Sequence, residues 1–290
     1  MYEYIALSGG GIKGITYIGA FKALERLKIA PKIKGIIGSS VGALLALFFV
    51  LGYTADQMLE IITNIDLSQY TDDGLSSLLQ NFGLDNGNKL INIIYAIAKQ
   101  KHDLKGVTLK QLYERHPIEL VITGSNITNA TTTYFSHKTT PDILVLNAIR
   151  ISISIPYKFT PIKYNDCFYI DGQVFDPYPI NYFNNKKVIG FILSTLSKLE
   201  PIENIVQYTL AMMISIEHKE IRRAFKKFKN KTVQIKTDHN PLDFAVSADI
   251  KKEMYQLGYD TTLDFLANSH YNTNLLKKML NHFRYQSKDK

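Results

Sequence analysis

The sequence predicts an α/β fold, with a mostly parallel central sheet flanked by helices and a helical C-terminal part. Short apolar runs of strand type alternate with helix-like segments from the first residues onward. Two glycine-bearing turns lie close together, each between a strand-like run and a helix-like one. The last third of the chain repeats its apolar residues at helical spacing. With 290 residues the chain can bury one large core. No internal repeat, low-complexity tract or linker divides it, so it reads as a single domain over 1–290.

Residues 3–7 form a short apolar strand, which Ser8, Gly9, Gly10 and Gly11 break. Ile15, Ile18, Ala20, Leu24 and Leu27 then mark a helix over 12–27. A second strand over 33–37 runs into Gly38-Ser39-Ser40-Val41-Gly42 and a helix over 43–51. Strand, helix, strand, helix at this spacing implies parallel pairing through crossover helices. Residues 55–64 and 89–100 are helical, separated by a polar surface stretch around 66–88. Apolar runs at 119–123 and 188–193 are buried strands, and 232–236 is a weaker one. Helices over 203–227, 248–266 and 273–284 complete the chain.

The first turn is Gly9-Gly10-Gly11-Ile12-Lys13-Gly14. Successive glycines let backbone N–H groups point at a ligand, and the following helix adds its positive end. Such a turn holds either a phosphate or the oxyanion of a tetrahedral intermediate. Gly9-x-Gly11-x-x-Gly14 also matches a dinucleotide fingerprint, but no carboxylate closes the second strand to hold a ribose. A P-loop fails too, because Ile15 follows Gly14 where a lysine and hydroxyl pair is needed.

The second turn is a Gly-x-Ser-x-Gly nucleophile elbow in its required strand–turn–helix context. Gly38 and Gly42 permit the tight bend that exposes Ser40 at a helix N-terminus. Ser39, beside it, lacks glycines at the matching positions. The seven histidines are scattered, and only two strand-like runs precede Ser40, too few for an α/β-hydrolase elbow. Asp171 is the better base: it closes the apolar run Cys167-Phe168-Tyr169-Ile170 and is followed by Gly172. A carboxylate of ordinary pKa ~3.9 is a weak base, so burial must raise it. His239, on a polar turn, is the first alternative.

Together these segments resemble the patatin-like phospholipases, lipid acyl hydrolases that use a Ser-Asp dyad. Gly9 through Gly14, including Lys13, match the family's glycine-rich oxyanion loop, and Gly38 through Gly42 match its elbow. Asp171-Gly172 match its aspartate motif, with Ser152, Ser154, Pro156 and Pro161 in the stretch before it. Asp243-Phe244 and Leu257-Gly258-Tyr259 match its C-terminal helix region, so the resemblance covers about 3–265. Gln173 stands where the family has a small residue, and Pro177 where it often has asparagine. The resemblance implies a three-layer patatin-like fold with a basic extension over about 270–290. It also implies cleavage of phospholipid or lysophospholipid acyl esters without cofactor or metal. A non-catalytic lipid- or partner-binding relative, or an acyltransferase using the same dyad, are the alternatives.

The formal charge of +8 favours anionic partners. No nucleic-acid module accompanies it, whereas two basic segments with apolar residues suit an anionic membrane surface. One is Lys219–Lys231, with Ile221, Phe225 and Phe228 between the charges; the other is Leu275–Arg284. The single cysteine, Cys167, excludes an internal disulfide and reads as a buried thiol. No signal peptide is visible, and the unbroken apolar core of 36–53 is far shorter than the ~20 residues a spanning helix needs. These features imply a cytoplasmic protein, peripheral at membranes.

Overall fold

In the computed structural model, which describes residues 2–66, 69, 78, 80–194, 202–203 and 205–268, the two turns read from the sequence lie at one end of one sheet. β1 (Tyr4–Leu7) and β2 (Gly35–Gly38) pair in parallel, Ile5 opposite Ile36. β9 (Val188–Ser194) flanks β1 on its other side and β10 (Thr232–Lys236) flanks β9, both parallel. β4 (Glu119–Asn126) pairs in parallel with β2. Three antiparallel strands finish the sheet: β5 (Thr131–Phe135), β7 (Ile162–Tyr164) and β8 (Cys167–Asp171). A separate two-stranded sheet joins β3 (Gly83–Asp85) to β6 (Tyr157–Phe159).

Both faces of the parallel strands are apolar, as buried parallel sheets require. Ile5, Leu7, Ile36, Leu120, Ile122, Ile189 and Phe191 point to one side. Ala6, Ile37, Val121, Val188 and Ile192 point to the other. The first side is covered by α1 (Ile15–Arg26), α2 (Val41–Val50), α3 (Ala55–Asn64), α4 (Asn88–Lys99), α5 (Leu109–Arg115) and α6 (Val145–Ser152). The second is covered by the turn Pro179–Phe183 and by Ile221 and Phe228 of α7 (Ile205–Phe228). The result is three layers, and the expectation of a mostly parallel sheet flanked by helices holds.

α2 is buried almost all round, which accounts for its lack of any charge. It has ten residues, and no described helix is long and apolar enough to cross a membrane. The strand and helix starts at Ala55 and Thr232 match the sequence reading. At Ala55 the reason is local: Thr54 and Gln57 form a capping box that leaves the first turn no choice. The first helix differs. Residues Gly11–Gly14 form a 3-10 turn, and α1 begins only at Ile15, because Gly10 and Gly11 have positive φ values of 150° and 56°. β3, β5, β6, β7, α5 and α6 were not legible; all are eight residues or fewer. Cys167 is half-buried, not buried, and accepts a contact from Asn129. The segments 270–290 and Leu275–Arg284 lie outside the described residues.

α8 (Ala248–Asn268) crosses α1 at backbone contact. A Cβ on Gly19 would collide with the Tyr255 carbonyl, and one on Gly258 with the Thr16 carbonyl. Arg26 donates to the Tyr259 hydroxyl beside this contact. Gly258→Ala should therefore lower stability by about 1–3 kcal/mol, although alanine is the better helix former by ~1 kcal/mol. Urea unfolding reads this directly, and an unchanged or raised midpoint would show that the helices do not touch there.

Candidate active site

β2 ends in the elbow. Ser40 has φ 54° and ψ −126°, a conformation that costs on the order of 1–3 kcal/mol and survives only where the surroundings impose it. They do so from both flanks. A Cβ on Gly38 would fall onto the Gly42 backbone, and one on Gly42 would lie 2.7 Å from the Ser8 carbonyl. The Ser40 amide is held by the Ser152 hydroxyl at 3.0 Å. Ser39 points the other way, within 2.7 Å of both the Thr123 hydroxyl and the Asp176 carbonyl. It pins the turn, while Ser40 faces the cavity.

The carboxylate arrives through β4. β2 pairs with Glu119–Ile122, and β8 pairs antiparallel with Gly124–Asn126. β5 occupies the opposite edge along Ile122–Asn126, so β2 and β8 share one edge, end to end. Their C-terminal ends therefore meet. Ser40 donates to Asp171 Oδ2 at 2.7 Å, and the Gln173 amide donates to Oδ1 at 2.8 Å. The Ser154 carbonyl accepts from the Asp171 amide, and Ser125 donates to the Asp171 carbonyl. Asp171 is 3% exposed. Burial pushes its carboxyl up to about 7, against the lowering effect of the Ser40 and Gln173 bonds.

The glycine loop sits next to this pair. The amides of Gly9, Ile12 and Lys13 donate to the carbonyls of Pro177, Pro241 and Gly10. The Ile12 amide is thus committed, and among the described residues the Gly10 and Gly11 amides have no such partner. A Cβ on Gly11 would collide with the Pro241 carbonyl. Gly14 lies against Val41, closing the loop onto the elbow helix.

Lys13 and Gln173 carry a network that sequence reading missed. The Gln173 side chain fills the space a Cβ on Gly9 would need, and it donates to Glu217 of α7. Burial pushes Glu217 up to about 7, with Asp171 adding to the rise and Lys13 opposing it. Lys13 is itself buried, which lowers its ammonium. A glutamate inside a helix gives no sequence signal of this role. Arg150 was missed too. Buried in α6, it bonds the Ser154 hydroxyl, the Thr160 carbonyl and the Asn86 carbonyl, tying three loops round the site.

An apolar cavity of about 160 Å³ opens from Ser40. Ile12, Leu44, Phe48, Met58, Ile94 and Ile153 line it, with Phe244 from the segment that carries Pro241. His239 is half-buried, and Ser40 donates to a carboxylate, not to an imidazole. His102 and His116 contact each other, and His137 stacks on Tyr113. Among the described residues no group of three or more His, Cys, Asp or Glu is placed to hold a metal ion.

Comparison with known proteins matches residues 5–184 to the family described as patatin-like phospholipase. The chain is 29% identical to protein R571 of Acanthamoeba polyphaga mimivirus, over 87% of this chain and 88% of that one. It is 32% identical to the probable lipid hydrolase 463L of Invertebrate iridescent virus 6, over 64% of this chain and 66% of the other. Among solved structures, VipD from Legionella pneumophila has a similar fold, with a TM-score of 0.64 at 16% identity. The likeness spans 91% of this chain and 66% of VipD. The type III effector ExoU follows at 0.54 and 17%, spanning 96% of this chain and 53% of ExoU.

The buried carboxyl makes a stability prediction. Its folded pKa of about 7 lies above the ordinary aspartate value of ~3.9, so its contribution is complete below pH ~4 and lost as pH rises through ~7. Asp171→Asn removes that loss. The variant should be about 2–4 kcal/mol more stable than the parent at pH 8 and indistinguishable at pH 4. Thermal melts at the two pH values test this; equal stability at pH 8 would show that the carboxyl is not strained.

Proposed function

The chain belongs to the patatin-like phospholipase family, and we propose that it cleaves fatty-acyl esters of phospholipids or lysophospholipids through a Ser40–Asp171 dyad. The single observation carrying this is the 2.7 Å bond from Ser40, strained at its elbow, to a buried carboxyl raised to about 7. A base with that pKa is half ionised at neutral pH, close to what proton abstraction needs. The cavity beside Ser40 supports a long apolar acyl group, since its wall is almost wholly aliphatic and aromatic.

In this reading Ser40 Oγ attacks the ester carbonyl carbon while its proton passes to Asp171 Oδ2. The amides of Gly10 and Gly11 receive the oxyanion, each worth on the order of 3 kcal/mol. The tetrahedral intermediate collapses with loss of the alcohol, which takes the proton from Asp171. Water then gives a proton back to Asp171 and attacks the acyl-enzyme, releasing the fatty acid and restoring Ser40. Gln173 holds Asp171 in line throughout, and it replaces the small residue of the family motif without entering the space between Ser40 and Asp171. The excess of positive charge, formally +8, suits work at an anionic membrane surface.

Two outcomes test the dyad. Ser40→Ala and Asp171→Asn should each lower ester hydrolysis by about 10³-fold or more, and the double variant should be little worse. A fluorophosphonate should label the parent at Ser40 and leave Ser40→Ala unlabelled. The parent's kcat/KM should rise with pH through about 7 and level off above, because only the ionised carboxylate accepts the proton. Parent-like turnover by Asp171→Asn would remove the aspartate from the mechanism and direct attention to His239.

A further inference from the structure

α7 divides into two unlike halves. From Ile205 to Ile216 it carries no charged residue. Its apolar side chains nevertheless stand in solvent: Ile205 is 74% exposed, Tyr208 50%, Met212 47% and Ile216 60%. Their spacing of three, four and four residues puts them on one face. From Glu217 to the following turn at Lys231 the chain holds seven Lys or Arg and two Glu, a local excess of five positive charges (7 − 2). The apolar residues among those charges do not face outward, contrary to the sequence expectation. Ile221 and Phe228 are buried against the sheet, and Phe225 packs partly against them.

We infer that the N-terminal half of α7 is a membrane-insertion element: its apolar face enters the surface of an anionic bilayer while the basic half binds lipid headgroups. A contiguous exposed apolar face on a helix marks an interaction site. Only an anionic lipid surface satisfies both halves together, because it offers an apolar layer beneath a negative one. A nucleic acid would leave Ile205, Met212 and Ile216 in water. A second copy would cover them but bring two sets of seven like charges near each other. The placement fits the substrate. Glu217, the next residue after the apolar half, is bonded to Gln173 beside the Ser40–Asp171 pair. The apolar half of α7 therefore ends one residue from a side chain that reaches the Ser40–Asp171 pair through Gln173.

The inference rests on the proposed lipid hydrolysis for the meaning of that placement, not for the docking itself, so the two are tested apart. The full chain is sedimented with vesicles of phosphatidylcholine containing phosphatidylglycerol and with vesicles of phosphatidylcholine alone. The parent should partition onto the anionic vesicles. The combined variant Ile205→Gln, Met212→Gln, Ile216→Gln should partition at least about tenfold less, while hydrolysing p-nitrophenyl butyrate at the parent rate. The chain contains no tryptophan, so Met212→Trp supplies a single indole, excited at wavelengths beyond the absorption of the tyrosines. Its emission should shift to the blue on adding the anionic vesicles and stay unchanged on adding salt alone. Equal partitioning of parent and combined variant would overturn the inference. So would a change in solution mass of the combined variant with no change in vesicle binding, which would assign the face to a second copy. A parent that binds vesicles through this face but hydrolyses no ester would keep the docking and refute the proposed activity.

Discussion

A side chain cannot exist at Gly38 or Gly42, and the rest of the site follows from that. With the Gly38 Cα against the Gly42 backbone, and Gly42 against Leu7 and Ser8, β2 must turn into α2 within two residues. The turn forces Ser40 to φ 54°, lifts its hydroxyl clear of the sheet and lays the glycine loop of β1 alongside. Packing imposes this conformation, so the surrounding sheet offsets the strain that Ser40 carries at the bend.

What the turn cannot supply is the partner, which comes from the edge of β4. The first half of that strand pairs with β2 and its last three residues with β8. Two strands of opposite direction thus end against each other, and their ends bring the Ser40 hydroxyl and the Asp171 carboxyl within hydrogen-bond distance. A parallel strand in the same place would have presented its N-terminus to Ser40 and kept its C-terminal residue at the far end of the sheet. The antiparallel part of an otherwise parallel sheet therefore has a use.

The legible parts of this molecule are those whose cause lies within a few residues. The elbow, the glycine turn and the charge-free α2 each announce themselves locally, and Thr54 and Gln57 fix the start of α3 between them. Asp171 was legible as the end of an apolar run before a glycine. The illegible parts depend on distant chain. Pro241 takes the Ile12 amide, Glu217 takes Gln173, and Arg150 gathers Asn86, Ser154 and Thr160. In the linear sequence Glu217 is an ordinary helical acid, and Ile221 and Phe228 look as free to face a membrane as Ile205 and Ile216. Only burial against the sheet separates them. The short strands and helices from Leu109 to Tyr164 failed for another reason: with so few residues, neither period of alternation has room to show.

A carboxyl that titrates near neutrality senses the pH at its own location. Asp171 stands at about 7, on the steep part of its curve near neutral pH. Next to a leaflet at about −30 mV, protons are concentrated and the local pH drops by roughly half a unit. The proposed base would then be less ionised at a strongly anionic surface than in bulk water. Under the proposed docking and mechanism, attraction and turnover would draw in opposite directions as surface charge grows, and the fastest surface would be one of intermediate charge density.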